Sequence, residues 1–182
     1  MGSPKALLEF QGETFLDRLI GMFAPYCSPI IAVLGASADV IRSGLRRAPQ
    51  AMLVVNPDYA QGQLTSMQCG LRALPAGPEG VLFTLVDHPN PHPSTVERLL
   101  TFPDGRAPVL RIPRYRGKRG HPICFAPELI PEFLALPADA AARDVVNRHA
   151  TDIDYVDVDD PGILQDIDDR KAYTDLLQGK QV

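Results

Sequence analysis

The stretch PIIAVLGA, residues 29–36, precedes a segment with helical spacing of its apolar residues, residues 38–46, and a second apolar run, AMLVVN at residues 51–56. A strand, a helix and a strand in this order predict a β-α-β unit. Such a unit joins two parallel strands through a crossover helix. This part of the chain therefore predicts an α/β fold.

The same alternation continues beyond the first unit. Residues 66–74 have helical spacing, GVLFTLVD at 80–87 is a continuous apolar run, and residues 94–100 predict a helix with Ser94 or Thr95 as its N-cap. Continuous apolar strands are typical of strands buried on both faces. We therefore expect a mainly parallel sheet that is covered by helices on both sides.

The second half of the chain is richer in proline and glycine. Its two strand candidates, residues 107–115 and 121–125, are separated by the basic turn RGKRG at 116–120, and we expect a hairpin or excursion beside the main sheet. Three further helices and one further strand complete the prediction: helices at 127–134, 140–149 and 170–177, and a strand at 153–158.

Length and composition favour one globular domain over residues 1–182, because 45% of the residues are hydrophobic and 22% are charged. The longest apolar stretch is far shorter than the roughly 20 residues that cross a bilayer. Without a secretory signal pattern, a cytoplasmic location is expected. Three widely spaced cysteines predict reduced thiols and no metal on sulfur: Cys27, Cys69 and Cys124.

Net charge is −4, which argues against general binding to nucleic acid. One local basic cluster departs from this average and requires a local explanation. It comprises Arg111, Arg114, Arg116, Lys118 and Arg119.

Candidate ligand-binding residues follow the predicted strands, because sheets of this kind bind ligands at the carboxyl ends of their strands. Asp87 follows a predicted buried strand and suits Mg²⁺, which prefers carboxylate and phosphate oxygens. The alternative is that Asp87 caps the next turn, together with Pro89. Gly62, Thr65 and Ser66 lie where a loop enters a helix, and they suit an anion or a nucleotide base, or form an ordinary N-cap.

Two other segments carry candidate residues. Arg119, Gly120 and His121 place a cation on a turn that could reach phosphates; the alternative is a solvated turn beside an edge strand, with a structural role for His121. Asp166 and Asp168 could return a second carboxylate to Asp87 and complete a metal site. We expect the other aspartates of the segment 157–169 to be surface charges.

Five stretches, taken in order, resemble the nucleotidyltransferase family that includes the molybdenum cofactor cytidylyl- and guanylyltransferases. They are MGSPKALLEFQGETFLDRL, QGQLTSMQCGL, LVDHP, RGHPICF and the DID near the end. The resemblance implies a Rossmann-like three-layer α/β/α sandwich. It also implies Mg²⁺-dependent transfer of a nucleotidyl group, CMP more than GMP, from a nucleoside triphosphate to a phosphorylated acceptor such as molybdopterin, with release of pyrophosphate. A molybdoenzyme or maturation factor is a further expected partner.

By the same resemblance, each candidate residue has a role. Lys5 and Asp87 are catalytic. The nucleotide is bound by Gly2, Lys5, Gly62, Thr65, Ser66 and Asp87, the acceptor by Arg119, Gly120 and His121, and the metal by Asp87, Asp166 and Asp168.

The sequence departs from the family pattern at two places. The family's DIDTPED reads DIDDRKAY here, which keeps both acids. Relatives open with a strand and a glycine-rich loop, LAAGxSxRMGxPK, whereas this sequence starts at the Met-Gly of that motif. We therefore expect the first strand and the loop to be missing, with weaker binding of triphosphate than in a chain extended upstream. The alternative function is a nucleotide- or cofactor-binding domain with impaired catalysis.

Overall fold

A computed structural model describes residues 3–102 and 108–180 and confirms the α/β fold class. Its β-strands are β1 (Glu9–Phe10), β2 (Glu13–Thr14), β3 (Ile31–Leu34), β4 (Met52–Val55), β5 (Val81–Phe83), β6 (Leu110–Tyr115), β7 (Lys118–Arg119), β8 (Ile123–Phe125) and β9 (Ile153–Asp157). Its α-helices are α1 (Phe15–Phe23), α2 (Ala38–Gly44), α3 (Gln63–Arg72), α4 (Pro93–Leu100), α5 (Ile130–Ala135), α6 (Arg143–Arg148) and α7 (Arg170–Leu177).

The strands of the central layer form two separate ladders. β3 and β4 pair in parallel, as the β-α-β unit predicts. The larger sheet is mixed: β8 is antiparallel to both β5 and β6, and β9 is parallel to β6. A small β1–β2 hairpin precedes α1. The sheet is thus less uniformly parallel than the sequence predicts.

Helices cover both faces of the larger sheet, which gives the three layers that the family resemblance implies. On one face, Met67 of α3 packs with Phe133 of α5 and Val145 of α6. On the opposite face, Leu99 of α4 packs with Val156 of β9. Side chains of neighbouring strand residues alternate between these two faces.

The predicted hairpin exists, because β7 pairs antiparallel with β6 across the basic turn, but its predicted position beside the main sheet is wrong. β6 lies between β8 and β9, at the centre of the larger sheet, and most of its side chains are buried. The peripheral position was predicted from the prolines and glycines of this segment. Pro113 lacks an amide donor, yet its carbonyl accepts a hydrogen bond from Gly120 at 3.0 Å, so the ladder continues past it.

The predicted burial of the first strands on both faces is also wrong. Met52 and Val55 of β4 are each 47% exposed, and every residue of β5 is only half-buried. β4 is an edge strand whose only described partner is β3, and β5 borders a gap in the central layer, because no described strand lies between β3 and β5. β5 ends at Phe83 rather than at Asp87, since its antiparallel partner β8 is only three residues long.

The helix boundaries differ from the predictions by a few residues. α3 begins three residues early, directly after Gly62, and α4 begins at Pro93 with His92, rather than Ser94 or Thr95, as its N-cap. The His92 ring accepts a hydrogen bond from the Ser94 amide at 3.3 Å. A 3-10 turn, Pro127–Leu129, occupies the start of the predicted helix at 127–134, which continues as α5.

Three side chains of the basic cluster have local structural partners. Arg111 is buried, pairs with Asp154 at 2.7 Å and donates to carbonyl groups at the end of α4. Arg114 pairs with Asp157, and Arg116 lies over the ring of Tyr115. These contacts give three of the five cationic side chains a structural role, so they do not favour the interpretation of the cluster as one binding surface.

The described cysteines are free, and the described residues contain no helix that is long and apolar enough to cross a membrane. Burial raises the pKa of the Cys124 thiol to about 11, so this thiol is protonated at neutral pH. Burial also raises the pKa of Cys27.

Asp160 is not the surface charge that the sequence predicts. Its buried carboxylate accepts hydrogen bonds from the His92 amide at 2.7 Å, the Thr95 hydroxyl at 2.6 Å and the Gly162 amide at 2.9 Å. It thereby joins the start of α4 to the turn that leads towards the acidic segment near the end of the chain.

We predict that Asp160→Ala lowers the free energy of unfolding by about 2 to 3 kcal/mol, because it leaves three donors without their acceptor. Asp159→Ala is the matched control. Asp159 is the exposed neighbour of Asp160, and its substitution should change the free energy of unfolding by less than about 0.5 kcal/mol. Urea unfolding at neutral pH measures both. Equal stability of the two variants would contradict the structural role of Asp160.

Candidate functional site

Lys5 and two aspartates meet at the carboxyl ends of the strands. The Lys5 ammonium lies 3.2 Å from the Asp87 carboxylate and 2.6 Å from the Asp168 carboxylate. Burial opposes the charged form of Lys5, but its hydrogen bonds to Asp168 and Asp87 outweigh this and raise its pKa. The hydrogen bond from Lys5 also lowers the pKa of Asp168. All three groups predicted to lie together are therefore adjacent.

The backbone brings the acidic segment to Asp87. The Ile167 amide donates to the Asp87 carbonyl at 2.9 Å, which places Asp166 and Asp168 on either side of this contact. Two residues earlier, the Gln165 side chain accepts a hydrogen bond from Asn90 at 2.8 Å. Asp166 and Asp168 flank Ile167, whose amide is bonded to Asp87, and this explains why both acids can reach the site.

Asp87, His88 and Asp166 form a group that could hold a metal ion, since one ligand atom from each lies within 4.8 Å of the others. The Oδ1 atom of Asp87 is buried and has no hydrogen-bond partner among the described residues. Burial, followed by the nearby Asp87 charge, raises the pKa of Asp166. An unsatisfied buried carboxylate oxygen beside a second acid fits a divalent cation, which prefers oxygen ligands.

This geometry separates the two acids that the sequence leaves equivalent. Asp166 belongs to the group that could hold a metal, whereas Asp168 is bonded to Lys5. The site contains three carboxylates and one ammonium group, so it keeps an excess of negative charge that favours binding of a cation.

Two histidine rings line the same site. The rings of His88 and His121 are 4.6 Å apart, and the Nδ1 atom of each is buried without a partner among the described residues. Burial and then the neighbouring His88 lower the pKa of His121 to about 4. His121 is therefore neutral at physiological pH.

The predicted nucleotide residues lie across the cleft between β3 and β5. The buried Asn56 side chain donates to the Thr65 hydroxyl at 2.9 Å and to the Ser66 hydroxyl at 3.0 Å. Thr65, in the first turn of α3, also donates to the Gly62 carbonyl at 2.8 Å, whereas Ser66 lines the cleft that Lys5 and Asp87 also line. The geometry gives Thr65 a structural role at the start of α3 and leaves Ser66 facing the cleft.

Gly62 has a backbone φ of 117°, a region that favours glycine, and it precedes α3 without a side-chain cap. Gly2, the remaining predicted nucleotide residue, lies outside the described residues.

The predicted acceptor residues occupy the end of β7 and the turn after it. A Cβ atom on Gly120 would clash with the carbonyl of Ile163, which also accepts the His121 amide at 3.0 Å. Gly120 thus permits a close backbone approach. Arg119 is exposed on β7, and the structure does not bring it to the Lys5–Asp87 pair through any ion pair of the described residues.

Sequence reasoning missed three residues near the site. Arg18 donates to the Pro89 carbonyl at 3.1 Å and to the Asn90 side chain at 3.0 Å, and so holds the loop that follows Asp87. Asn56 directly follows β4, whereas His88 lies in the loop after β5, next to Asp87. The position directly after a strand is the signal that could have identified Asn56.

The fold is that of nucleotidyltransferases of known structure. A nucleotidyl transferase from Methanothermobacter superimposes with a TM-score of 0.78 at 20% identity, over 97% of this chain and 84% of that chain. Rv0371c from Mycobacterium tuberculosis H37Rv gives 0.84 at 24% identity, over 98% and 90%. Its complex with manganese gives 0.80 at 23% identity, over 96% and 91%.

The sequence comparisons define the family. The model of the MobA-like NTP transferase domain matches residues 1–153, and the chain belongs to this family. The molybdenum cofactor cytidylyltransferase of Escherichia coli (strain K12) is 26% identical over 170 residues, which cover 92% of this chain and 84% of that protein.

We predict that the free energy of unfolding falls as the pH is lowered, because His121 is buried in its neutral form. Because its folded pKa of about 4 lies below the ordinary 6.5, the unfolded chain takes up the proton first as the pH drops. Between pH 7 and 4.5 the wild-type free energy of unfolding should fall by about 2 to 3 kcal/mol more than that of His121→Gln. Urea unfolding across this range, with a metal chelator present, measures the difference, and parallel profiles would contradict it.

Proposed function

We propose that the protein transfers a nucleotidyl group, CMP more than GMP, from a nucleoside triphosphate to a phosphorylated acceptor of the molybdenum cofactor type, with release of pyrophosphate. The observation that supports this most directly is the contact of Lys5 with Asp87 beside Asp166, at the carboxyl ends of the strands. The family membership supports the reaction class, and the relative from Escherichia coli supports cytidylyl transfer.

The arrangement suits this chemistry because nucleotidyl transfer needs charge neutralisation and positioning more than a protein nucleophile. Lys5 has three ammonium donors, and two of them bond to Asp87 and Asp168. The third can bind a phosphate oxygen of the triphosphate. Ser66, which lines the same cleft, can bind the nucleoside part.

We assign a magnesium site to Asp87 and Asp166, with Asp168 holding Lys5 beside them. The buried and unsatisfied Oδ1 of Asp87 fits such a ligand role. When bound, Mg²⁺ supplies neutralisation of the charge on the phosphate oxygens. The neutral ring of His121 can line the acceptor side without adding charge, while Gly120 keeps the backbone close to Ile163.

We predict that Asp166→Asn weakens binding of Mg²⁺ by about tenfold or more, because it removes a ligand carboxylate, and that Asp168→Asn has a clearly smaller effect. Calorimetric titration with Mg²⁺, repeated with Mn²⁺, measures both. Asp159→Asn is the control for loss of one negative charge at an exposed position. A larger effect at Asp168 than at Asp166 would overturn the assignment of the two acids.

A second prediction concerns turnover. With CTP or GTP, Mg²⁺ and molybdenum cofactor, Lys5→Met and Asp87→Asn should each lower pyrophosphate release by about 100-fold or more, because each removes a charge at the triphosphate. Lys118→Met, on the exposed strand β7, is the matched control and should keep wild-type turnover.

The same assay separates the two candidate functions. Tight, Mg²⁺-dependent binding of CTP or GTP without pyrophosphate release would support a nucleotide-binding domain with impaired catalysis. The absence of both binding and turnover, in a folded protein, would contradict the assignment of the site.

A further inference from the structure

The two acids that we assign to the metal come from separate segments of the chain. Asp87 belongs to the loop that follows β5, and Asp166 belongs to the segment that follows β9. The distance between the two carboxylates therefore depends on how these segments are fastened to each other. A change in this distance should change metal binding, because divalent cations bind oxygen ligands within a narrow range of distances.

Two hydrogen bonds join the segments, one on each side of Asp166. The Ile167 amide donates to the Asp87 carbonyl at 2.9 Å. The Asn90 side-chain amide donates to the side-chain oxygen of Gln165 at 2.8 Å. The backbone contact alone would fix a distance but would leave the segment free to rotate about it. The second contact removes this rotation, and so the backbone of Asp166 is held in orientation as well as in distance.

The contact between Asn90 and Gln165 is enclosed by the protein. Gln165 is only 7% exposed, and a Cβ atom on Gly162 would clash with the Asn90 carbonyl, so the two segments are closely packed here. A hydrogen bond in such a place is costly to break, because a buried donor or acceptor without a partner has lost its solvation and gained nothing.

Arg18 of α1 determines which way the Asn90 amide group faces. Its Nη2 atom donates to Oδ1 of Asn90 at 3.0 Å, and its Nε atom donates to the Pro89 carbonyl at 3.1 Å. A guanidinium group can only donate hydrogen bonds. The oxygen of the Asn90 side chain must therefore face Arg18, which leaves its NH₂ group to bond to Gln165.

The remaining contacts of Arg18 show that it is held in place by the protein. Its Nη1 atom donates to the Gln11 side chain at 3.1 Å, and the guanidinium lies over the ring of Phe10, 5.1 Å from its centroid. Each of the three nitrogens thus donates to an uncharged oxygen of the protein. A ligand for phosphate presents its donors to the anion, often two at once. The observed geometry favours a role in positioning over a role in phosphate binding.

We infer that Arg18 is a positioning residue, which acts through Asn90 and Gln165 to hold Asp166 in place beside Asp87. Arg18 is a cation and cannot itself bind the metal. The inference rests on the proposed function, in which Asp87 and Asp166 bind the metal, and it adds the residues that set the affinity of that site. Residues that orient metal ligands from outside commonly change the affinity by about 10- to 100-fold when they are replaced.

The sign of the effect separates positioning from simple electrostatics. Arg18 is a positive charge near an acidic site, and it repels a metal ion bound there. If charge alone matters, a neutral residue at this position should tighten metal binding. If Arg18 positions Asp166, the same replacement should weaken metal binding, despite the removal of the repulsion.

Titration of the 182-residue protein with Mn²⁺, without nucleotide, tests the inference, and electron paramagnetic resonance measures the free ion. We expect Arg18→Met and Asn90→Leu each to weaken binding of Mn²⁺ by about tenfold. The double variant should be no weaker than the weaker-binding single variant, because both substitutions act through one contact. Gln165→Met removes the acceptor at the other end and should have the same effect.

Arg47→Met is the matched control. Arg47 also packs against α1, beside Gly21, but it donates to Glu13 and not to the loop that follows Asp87. This variant should bind Mn²⁺ as the wild type does. Circular dichroism checks the folding of every variant, and Gln165→Met decides the matter if the Arg18 variant does not fold.

Three results would overturn the inference. They are unchanged or tighter binding of Mn²⁺ to folded Arg18→Met, additive effects in the double variant, and loss of CTP binding with an unchanged affinity for Mn²⁺, which would identify Arg18 as a phosphate ligand. If Asp166→Asn weakens binding of Mn²⁺ in the same titration, these results leave the metal assignment intact. A wild-type protein that does not bind Mn²⁺ would overturn both the metal assignment and this inference.

Discussion

The ammonium group of Lys5 lies between the carboxylates of Asp87 and Asp168, which are 82 and 163 residues away along the chain. These two contacts hold the start, the middle and the end of the chain at one point. Without a cation there, three carboxylates would lie close together at the edge of the sheet and would repel one another. Lys5 therefore permits this concentration of acidic side chains, and the excess negative charge that remains makes the same point suited to a metal cation.

Backbone contacts, more than side chains, fix the distances at this point. The Ile167 amide bonds to the Asp87 carbonyl, and the His121 amide bonds to the Ile163 carbonyl. Both contacts bring the segment after β9 against the ends of the strands. Gly120 is part of this arrangement, because any side chain there would clash with Ile163. The acidic residues and the two histidine rings are thus positioned by hydrogen bonds that a substitution of their own side chains would leave in place.

The sequence predicts the order of strands and helices well and their environment less well. Local signals located β3, α2, β4 and α7 to within two residues at most positions, because spacing and caps act over a few residues. They missed α1, although Thr14 caps it through the Asp17 amide. They also placed β6 at the periphery and Asp160 at the surface, since burial depends on residues that are distant along the chain. The pairing of Lys5 with Asp168 is of the same kind, and only the family resemblance predicted that these groups act together.

The gap in the central layer adjoins the candidate site, because residues of the site lie on both sides of it. Asn56 directly follows β4 and donates to Ser66 of α3, whereas Asp87 lies after β5 on the other side of the cleft. Transfer of a nucleotidyl group requires the nucleoside and the phosphates to be held at fixed separations, because small displacements of reacting groups are costly. No hydrogen-bond ladder joins β3 and β5 in the described residues, and residues of α1, of α3 and of the start of the chain line the cleft between them. The separation between Ser66 and Asp87 across the cleft is therefore set by the packing of helices and loops, and not by a strand ladder of the described residues.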